Sequence, residues 1–196
     1  MRQLSSSASW QKVAAIACGL ALVLPSLAQD NPVLLGVVTG VIYGDTIKVQ
    51  LSSGPITVRL ANIDAPELGQ PGGGAATRAL DSRILGREVS LDVVTRDRNE
   101  RLFAVVYVDD ENVNAWLVKQ GHAWAYRPYT KDPNYCVWEN AARSLRRGLW
   151  ADQNWIAPWE LRQSKRDAVF FFSDYSTVST ASCIREMGKT EIPDEL

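Results

Sequence analysis

An α+β fold, a five-stranded Greek-key barrel of the OB type with three helices, is predicted by two features of the sequence. Five short β-rich runs follow one another with turn residues between them, and helical patterns fall after the third run and, twice, after the fifth. Residues 33–49 read as two strands around a break at Tyr43-Gly44-Asp45. A Ser52-Ser53-Gly54-Pro55 turn leads into a third run at 56–63. Pro66, which has no N–H to give a ladder, ends that run within Ala65-Pro66-Glu67. Residues 69–74 read as a flexible loop. At 75–85 the spacing of Ala76, Leu80, Ile84 and Leu85 predicts a helix with one buried face. Strands are expected at 89–94 and 102–108, followed by a turn at Asp109-Asp110-Glu111-Asn112. The second and third helices are expected at 113–120 and 138–147, stopped by Gly121 and Gly148. Residues 155–166 fit either a last helix or an irregular wrap. No pattern places the chain after Asp167.

A length of 196 residues allows one ordinary domain with appendages, and 46% hydrophobic content is enough to build its core. Residues 1–28 read as a signal peptide. Arg2 and Lys12 precede an apolar run, and Pro25-Ser26-Leu27-Ala28 supplies small residues before a cut ahead of Gln29. The apolar run is short for a membrane span, so a secreted or periplasmic chain, with no membrane association after cleavage, is expected over an uncleaved anchor or a lipoprotein through Cys18. The domain then covers 29–166, with a tail at 167–196. Cleavage leaves Cys136 and Cys183, expected to pair and tether the tail, with two independent buried thiols as the alternative. Arg2 and Lys12 are the only charges removed, which takes the formal net charge from −1 to −3. Such a balance argues against tight, non-specific duplex binding.

The positions that carry chemistry are Gly44-Asp45-Thr46, Arg59, Asp64-Ala65-Pro66-Glu67 and Arg101. Asp45 and Asp64, near strand ends, offer hard oxygen ligands of the kind Ca²⁺ takes, with positions left for water and a phosphate oxygen. Arginine grips phosphate through two parallel hydrogen bonds, so Arg59 and Arg101 suit charge that builds on a phosphodiester under attack. Glu67 is placed to orient or deprotonate the attacking water.

Val41-Ile42-Tyr43-Gly44-Asp45-Thr46, Val58-Arg59-Leu60, Ile63-Asp64-Ala65-Pro66-Glu67 and Asp97-Arg98-Asn99-Glu100-Arg101 resemble the successive motifs of staphylococcal nuclease homologues. Val113-Asn114, Leu117-Val118-Lys119-Gln120-Gly121 and Arg147-Gly148-Leu149-Trp150 continue the resemblance, which spans about residues 33–160. It implies an OB-type barrel with three helices, calcium held by Asp45, Asp64 and the Ala65 carbonyl, and catalysis by Arg59, Glu67 and Arg101. The implied activity is endonucleolytic hydrolysis of DNA and RNA to 3′-phosphate ends, with single-stranded substrate preferred. The sequence departs from the family pattern at Tyr43 (often acidic), Ala65 (threonine), Asn99 (tyrosine) and Glu100 (glycine). These departures bear on calcium affinity and rate more than on reaction class.

Simpler readings stand beside these. The tryptophans at 116, 124, 138, 150, 155 and 159 read mostly as packing residues, whereas Tyr126 and Tyr129 are better placed for base contact. His122 reads as structural. Arg143, Arg146 and Arg147 read as a solvated helix face, and Gly72-Gly73-Gly74 as a mobile loop. The competing function is a catalytically idle OB-type module binding single-stranded nucleic acid or a protein. An oligosaccharide-binding module would explain only the aromatics. A monomer is expected.

Overall fold

Alternating apolar residues in the second of three successive strands mark the start of the barrel. The computed structural model describes residues 33–97, 101–153, 155–170 and 172–189. The expected signal peptide, Asn99 and Glu100 lie outside the described residues. β1 (Val33–Tyr43), β2 (Thr46–Leu51) and β3 (Gly54–Leu60) form an antiparallel meander, with Ile47, Val49 and Leu51 of β2 turned inward. β1 also pairs with β5 (Glu88–Arg96), and β5 with β6 (Leu102–Val108), both antiparallel. β6 then lies parallel to β3, with Val58 opposite Leu102 and Arg59 opposite Phe103. That last pairing closes a five-stranded barrel.

The closing seam is held by a side chain. Asn114, fully buried, donates its amide to the carbonyls of Ala61 and Ala104 at 2.8 and 3.1 Å and accepts from the Val106 N–H at 3.1 Å. A buried amide with its donors and acceptor satisfied fixes one arrangement of the strands around it.

The third run breaks earlier than its sequence suggests. Asn62 takes a left-handed conformation, φ 68°, and turns the chain out of the barrel after Leu60. Ile63–Asp64 becomes a separate strand, β4, which pairs with a short strand farther along the chain, Trp124–Ala125. Between them lies a two-residue strand, β7 (Glu111–Asn112), and Trp124–Ala125 is β8.

The glycine triplet is not a mobile loop. Gly73 and Gly74 open helix α1 (Gly73–Ile84), and a Cβ on Gly73 would lie 2.0 Å from the Glu67 carbonyl oxygen. Helix α2 (Val113–Lys119) is capped by the Asn112 side chain, which accepts from the Ala115 N–H at 2.8 Å. Helix α3 (Asn134–Ser144) begins four residues before the periodicity shows it, because Pro133 sets a helical φ at its cap. Residues 155–166 resolve into helix α4 (Pro158–Asp167), with proline as its first residue. A capping box between Ser179 and Ser182 starts α5 (Thr180–Glu186) in the tail.

A second core packs beside the barrel. Trp124 meets Trp150, Trp159 and Tyr175 edge-on at centroid distances of 4.7, 5.6 and 5.0 Å. Tyr175 belongs to the tail, and a disulfide between Cys136 and Cys183 joins α5 to α3. Arg143 is not solvated, as its helix spacing suggests. Its guanidinium lies 3.7 Å from the Trp150 ring centre and pairs with buried Glu139, so aromatic packing and one acid replace its water. No helix among the described residues is long and apolar enough to cross a membrane.

Candidate active site

Gly44 brings the β1–β2 turn close to the elements beside it. A Cβ there would lie 2.7 Å from the Ala76 methyl of α1 and 2.8 Å from that of Ala65, so this turn packs only without a side chain. Asp45 follows, nearly buried and fixed from several sides. The Thr46 hydroxyl donates to its Oδ1 at 3.0 Å and the Ala65 N–H to its Oδ2 at 2.6 Å. The Leu60 N–H donates to its backbone carbonyl at 2.8 Å.

Arg59, at the end of β3, points into the same place. Its guanidinium pairs with Asp45 and lies 2.5 Å from Asp64 Oδ1. Asp64 is completely buried, delivered by the β4–β8 pairing. Burial lowers the Arg59 pKa, and the Asp64 carboxylate opposes that shift. Residues 45, 59 and 64, separate in sequence, therefore form one ionic cluster.

Glu67 sits on a pinned loop. Its N–H donates to Gln70 Oε1 at 2.8 Å, and the Gln70 amide reaches the Ile156 carbonyl at 3.3 Å. Its carboxylate joins the cluster through a residue the sequence reading did not single out for the site. Arg162, on α4, places Nη1 at 2.9 Å from Glu67 Oε1 and 3.1 Å from Asp64 Oδ1, and Nη2 at 2.8 Å from Asp64 Oδ2. Burial acts to lower the Arg162 pKa, but Asp64 and Glu67 outweigh it and hold the guanidinium charge more firmly than usual. The sequence signal was only its place in the basic run 162–166.

Tyr126 and Tyr129 stand beside this cluster. Their rings meet edge-on at 4.5 Å, and with Arg59 and Phe103 they line a small hollow. The Tyr126 hydroxyl lies 3.3 Å from Arg162 Nη2. Burial, then the Asp64 charge, raises the Tyr126 pKa, and burial raises that of Tyr129. Arg101 stands apart. Its backbone N–H and Nε both donate to the Asp97 carboxylate at 2.9 Å, and its guanidinium lies 5.5 Å from the Phe103 ring centre. None of its described contacts reaches Asp45, Asp64 or Glu67. His122 packs near Trp116, its pKa lowered by burial.

The donor set suits a hard cation. Asp45 and Asp64 converge on a single guanidinium, and the Ala65 N–H donates to Asp45, so two carboxylates are gathered with no histidine or cysteine between them. Among the described residues no group of three or more His, Cys, Asp or Glu is clustered to hold a metal. A cation here would rest on two carboxylates and a carbonyl, with water or phosphate completing its shell.

The staphylococcal nuclease homologue family profile matches residues 57–152, which include Arg59, Asp64, Glu67, Arg101 and both tyrosines. An uncharacterized endonuclease of Escherichia coli O157:H7 is 41% identical over 142 residues, 72% of this chain and 91% of that protein. An uncharacterized endonuclease of Haemophilus influenzae is 40% identical over 136 residues, 68% of this chain and 75% of its own. The micrococcal nuclease of Shigella flexneri is 39% identical over 144 residues, 68% of this chain and 83% of its own. With a closed five-stranded barrel that carries Arg59 at the end of its third strand, the chain belongs to the staphylococcal nuclease homologue family.

Proposed function

We propose that this chain is a secreted or periplasmic, calcium-dependent endonuclease that hydrolyses DNA and RNA, preferring single strands, and acts as a monomer. The observation that carries the reading is the joining of Asp45, Arg59, Asp64 and Glu67 in one hydrogen-bonded and ionic cluster at the barrel rim. Calcium held by Asp45, Asp64 and the Ala65 carbonyl would supply positive charge against a phosphate oxygen. Arg59, fixed between two carboxylates, keeps its guanidinium oriented without reorganisation when charge builds on the phosphate. Arg101, held on Asp97 beside Phe103 and apart from the cluster, would bring a second guanidinium to the phosphate only by leaving Asp97. Glu67, the most exposed of the three acids, accepts the proton of the attacking water. An O–P bond forms and the P–O5′ bond breaks, which leaves a 3′-phosphate and a 5′-hydroxyl protonated from solvent. Tyr126 and Tyr129 offer aromatic faces to a neighbouring base. The Arg2–Ala28 pattern at the N-terminus supports export.

The competing reading is a binding module without catalysis. Incubating the mature protein with single-stranded DNA, in calcium or in a chelator, separates the two. Cleavage in calcium alone is the expected result. Retained binding with no cleavage in any divalent cation would favour the binding module.

A further inference from the structure

Arg162 comes to the site from α4, a helix beyond the stretch that the family profile matches. Its guanidinium takes both oxygens of Asp64 and one of Glu67. In the reaction proposed above those two carboxylates serve as cation ligand and base. We propose that Arg162 is an exchangeable counter-ion of the site, a latch that keeps Asp64 and Glu67 engaged until a divalent cation takes Asp64 from it. The inference rests on the cation-dependent reading and deepens it.

Charge is the first argument. Asp45, Asp64 and Glu67 bring three negative charges to the cluster, and Arg59 and Arg162 bring two positive ones. Adding a divalent cation to all five groups would leave a net positive charge on a set whose Asp45, Arg59 and Asp64 are buried, which is costly. Exchanging one arginine for the cation leaves the set balanced.

Geometry selects which arginine leaves. Arg59 is 7% exposed and wedged between two aspartates. The Arg162 side chain is 28% exposed and hangs on a long flexible stem. The helix beneath it stays in place. Pro158 and Ser164 are buried, Trp159 stacks on Tyr126 at 5.5 Å, and Glu160 accepts from the Tyr175 hydroxyl at 2.8 Å. The motion is therefore a side-chain swing on a fixed α4.

A latch of this kind weakens apparent cation affinity by the fraction of molecules in which it is open. If it is closed in about nine molecules of ten, removing it tightens binding about tenfold. By reciprocity, the cation frees Arg162 to the same extent.

The test is calorimetric titration of calcium chloride into the mature protein, its Arg162→Gln and Arg162→Lys variants, and Asp64→Asn as control. Arg162→Gln is expected to bind calcium about tenfold or more tightly than the unaltered protein. Arg162→Lys, which keeps the charge but cannot span two carboxylates, is expected to fall between them. Cooperative thermal unfolding establishes that each variant is folded, and the lysine variant carries the comparison should the glutamine variant not fold. Calcium affinity unchanged or weakened in folded Arg162→Gln overturns the latch while leaving the cation reading standing. If neither the unaltered protein nor Arg162→Gln takes up calcium at a site that Asp64→Asn removes, the cation reading fails and the latch with it.

Discussion

The Arg59 guanidinium lies 2.5 Å from Asp64 Oδ1 inside the protein, and Arg162 takes both oxygens of the same carboxylate from the opposite end of the chain. Asp64 thus pairs with two arginines at once, and its loss would leave Arg59 with Asp45 alone and Arg162 with Glu67 alone.

Asp64→Ala is expected to lower stability by about 3–5 kcal/mol, the range for breaking a buried pair from one side. Guanidinium denaturation in a chelator measures the structural effect apart from calcium. A loss below about 1 kcal/mol would mean that the cluster carries little of the fold.

Gly44→Ala tests how closely the turn must approach its neighbours. The new methyl would meet the Ala65 and Ala76 methyls at under 3 Å, so the turn must shift and Asp45 with it. A stability loss of about 1–3 kcal/mol, as overpacking gives, is expected together with weakened calcium binding. Unchanged calcium binding would show that the placement of Asp45 tolerates the displacement.

The disulfide joins Cys136 and Cys183, 47 positions apart in the chain. Cys183→Ser is expected to lower the unfolding free energy by about 2–4 kcal/mol. Denaturation with and without reductant checks this. Reductant should destabilise the unaltered protein and leave the variant unmoved.

Stability should also fall at high pH. Burial raises the pKa of Tyr126, Tyr175 and Tyr135, the last to about 12. Each folded pKa lies above the ordinary value near 10, so the folded state holds these protons longer than the unfolded chain. Their contribution is complete below pH 10 and is lost as pH climbs from there through the folded values. Denaturation midpoints at pH 9, 10 and 11 measure it. A flat profile would show that the folded protein holds these phenol protons no longer than the unfolded chain does.

The barrel and the acid–arginine core were legible because their signals are local. Alternation marks β2, and Asp45, Arg59, Asp64 and Glu67 each sit at the end or turn of such a run. The structure brings those four together and leaves Arg101 on Asp97. Arg162 was not legible as a site residue because its partner Asp64 is 98 residues away and nothing in its own helix encodes the contact. Arg143 misled for a similar reason. Its neighbours Arg146 and Arg147 are exposed, and only the tertiary placement of Trp150 and Glu139 shows that it is not. The β4–β8 pair escaped because two residues carry no periodicity, and the left-handed turn at Asn62 has no strong marker.

The most direct measurement is single-turnover cleavage of a single-stranded DNA oligonucleotide in saturating calcium by the unaltered protein and by Glu67→Gln, with calcium affinity determined on the same samples. The account predicts a cleavage rate about a hundredfold or more lower in the variant, with calcium still bound. Cleavage by Glu67→Gln at the unaltered rate would contradict it.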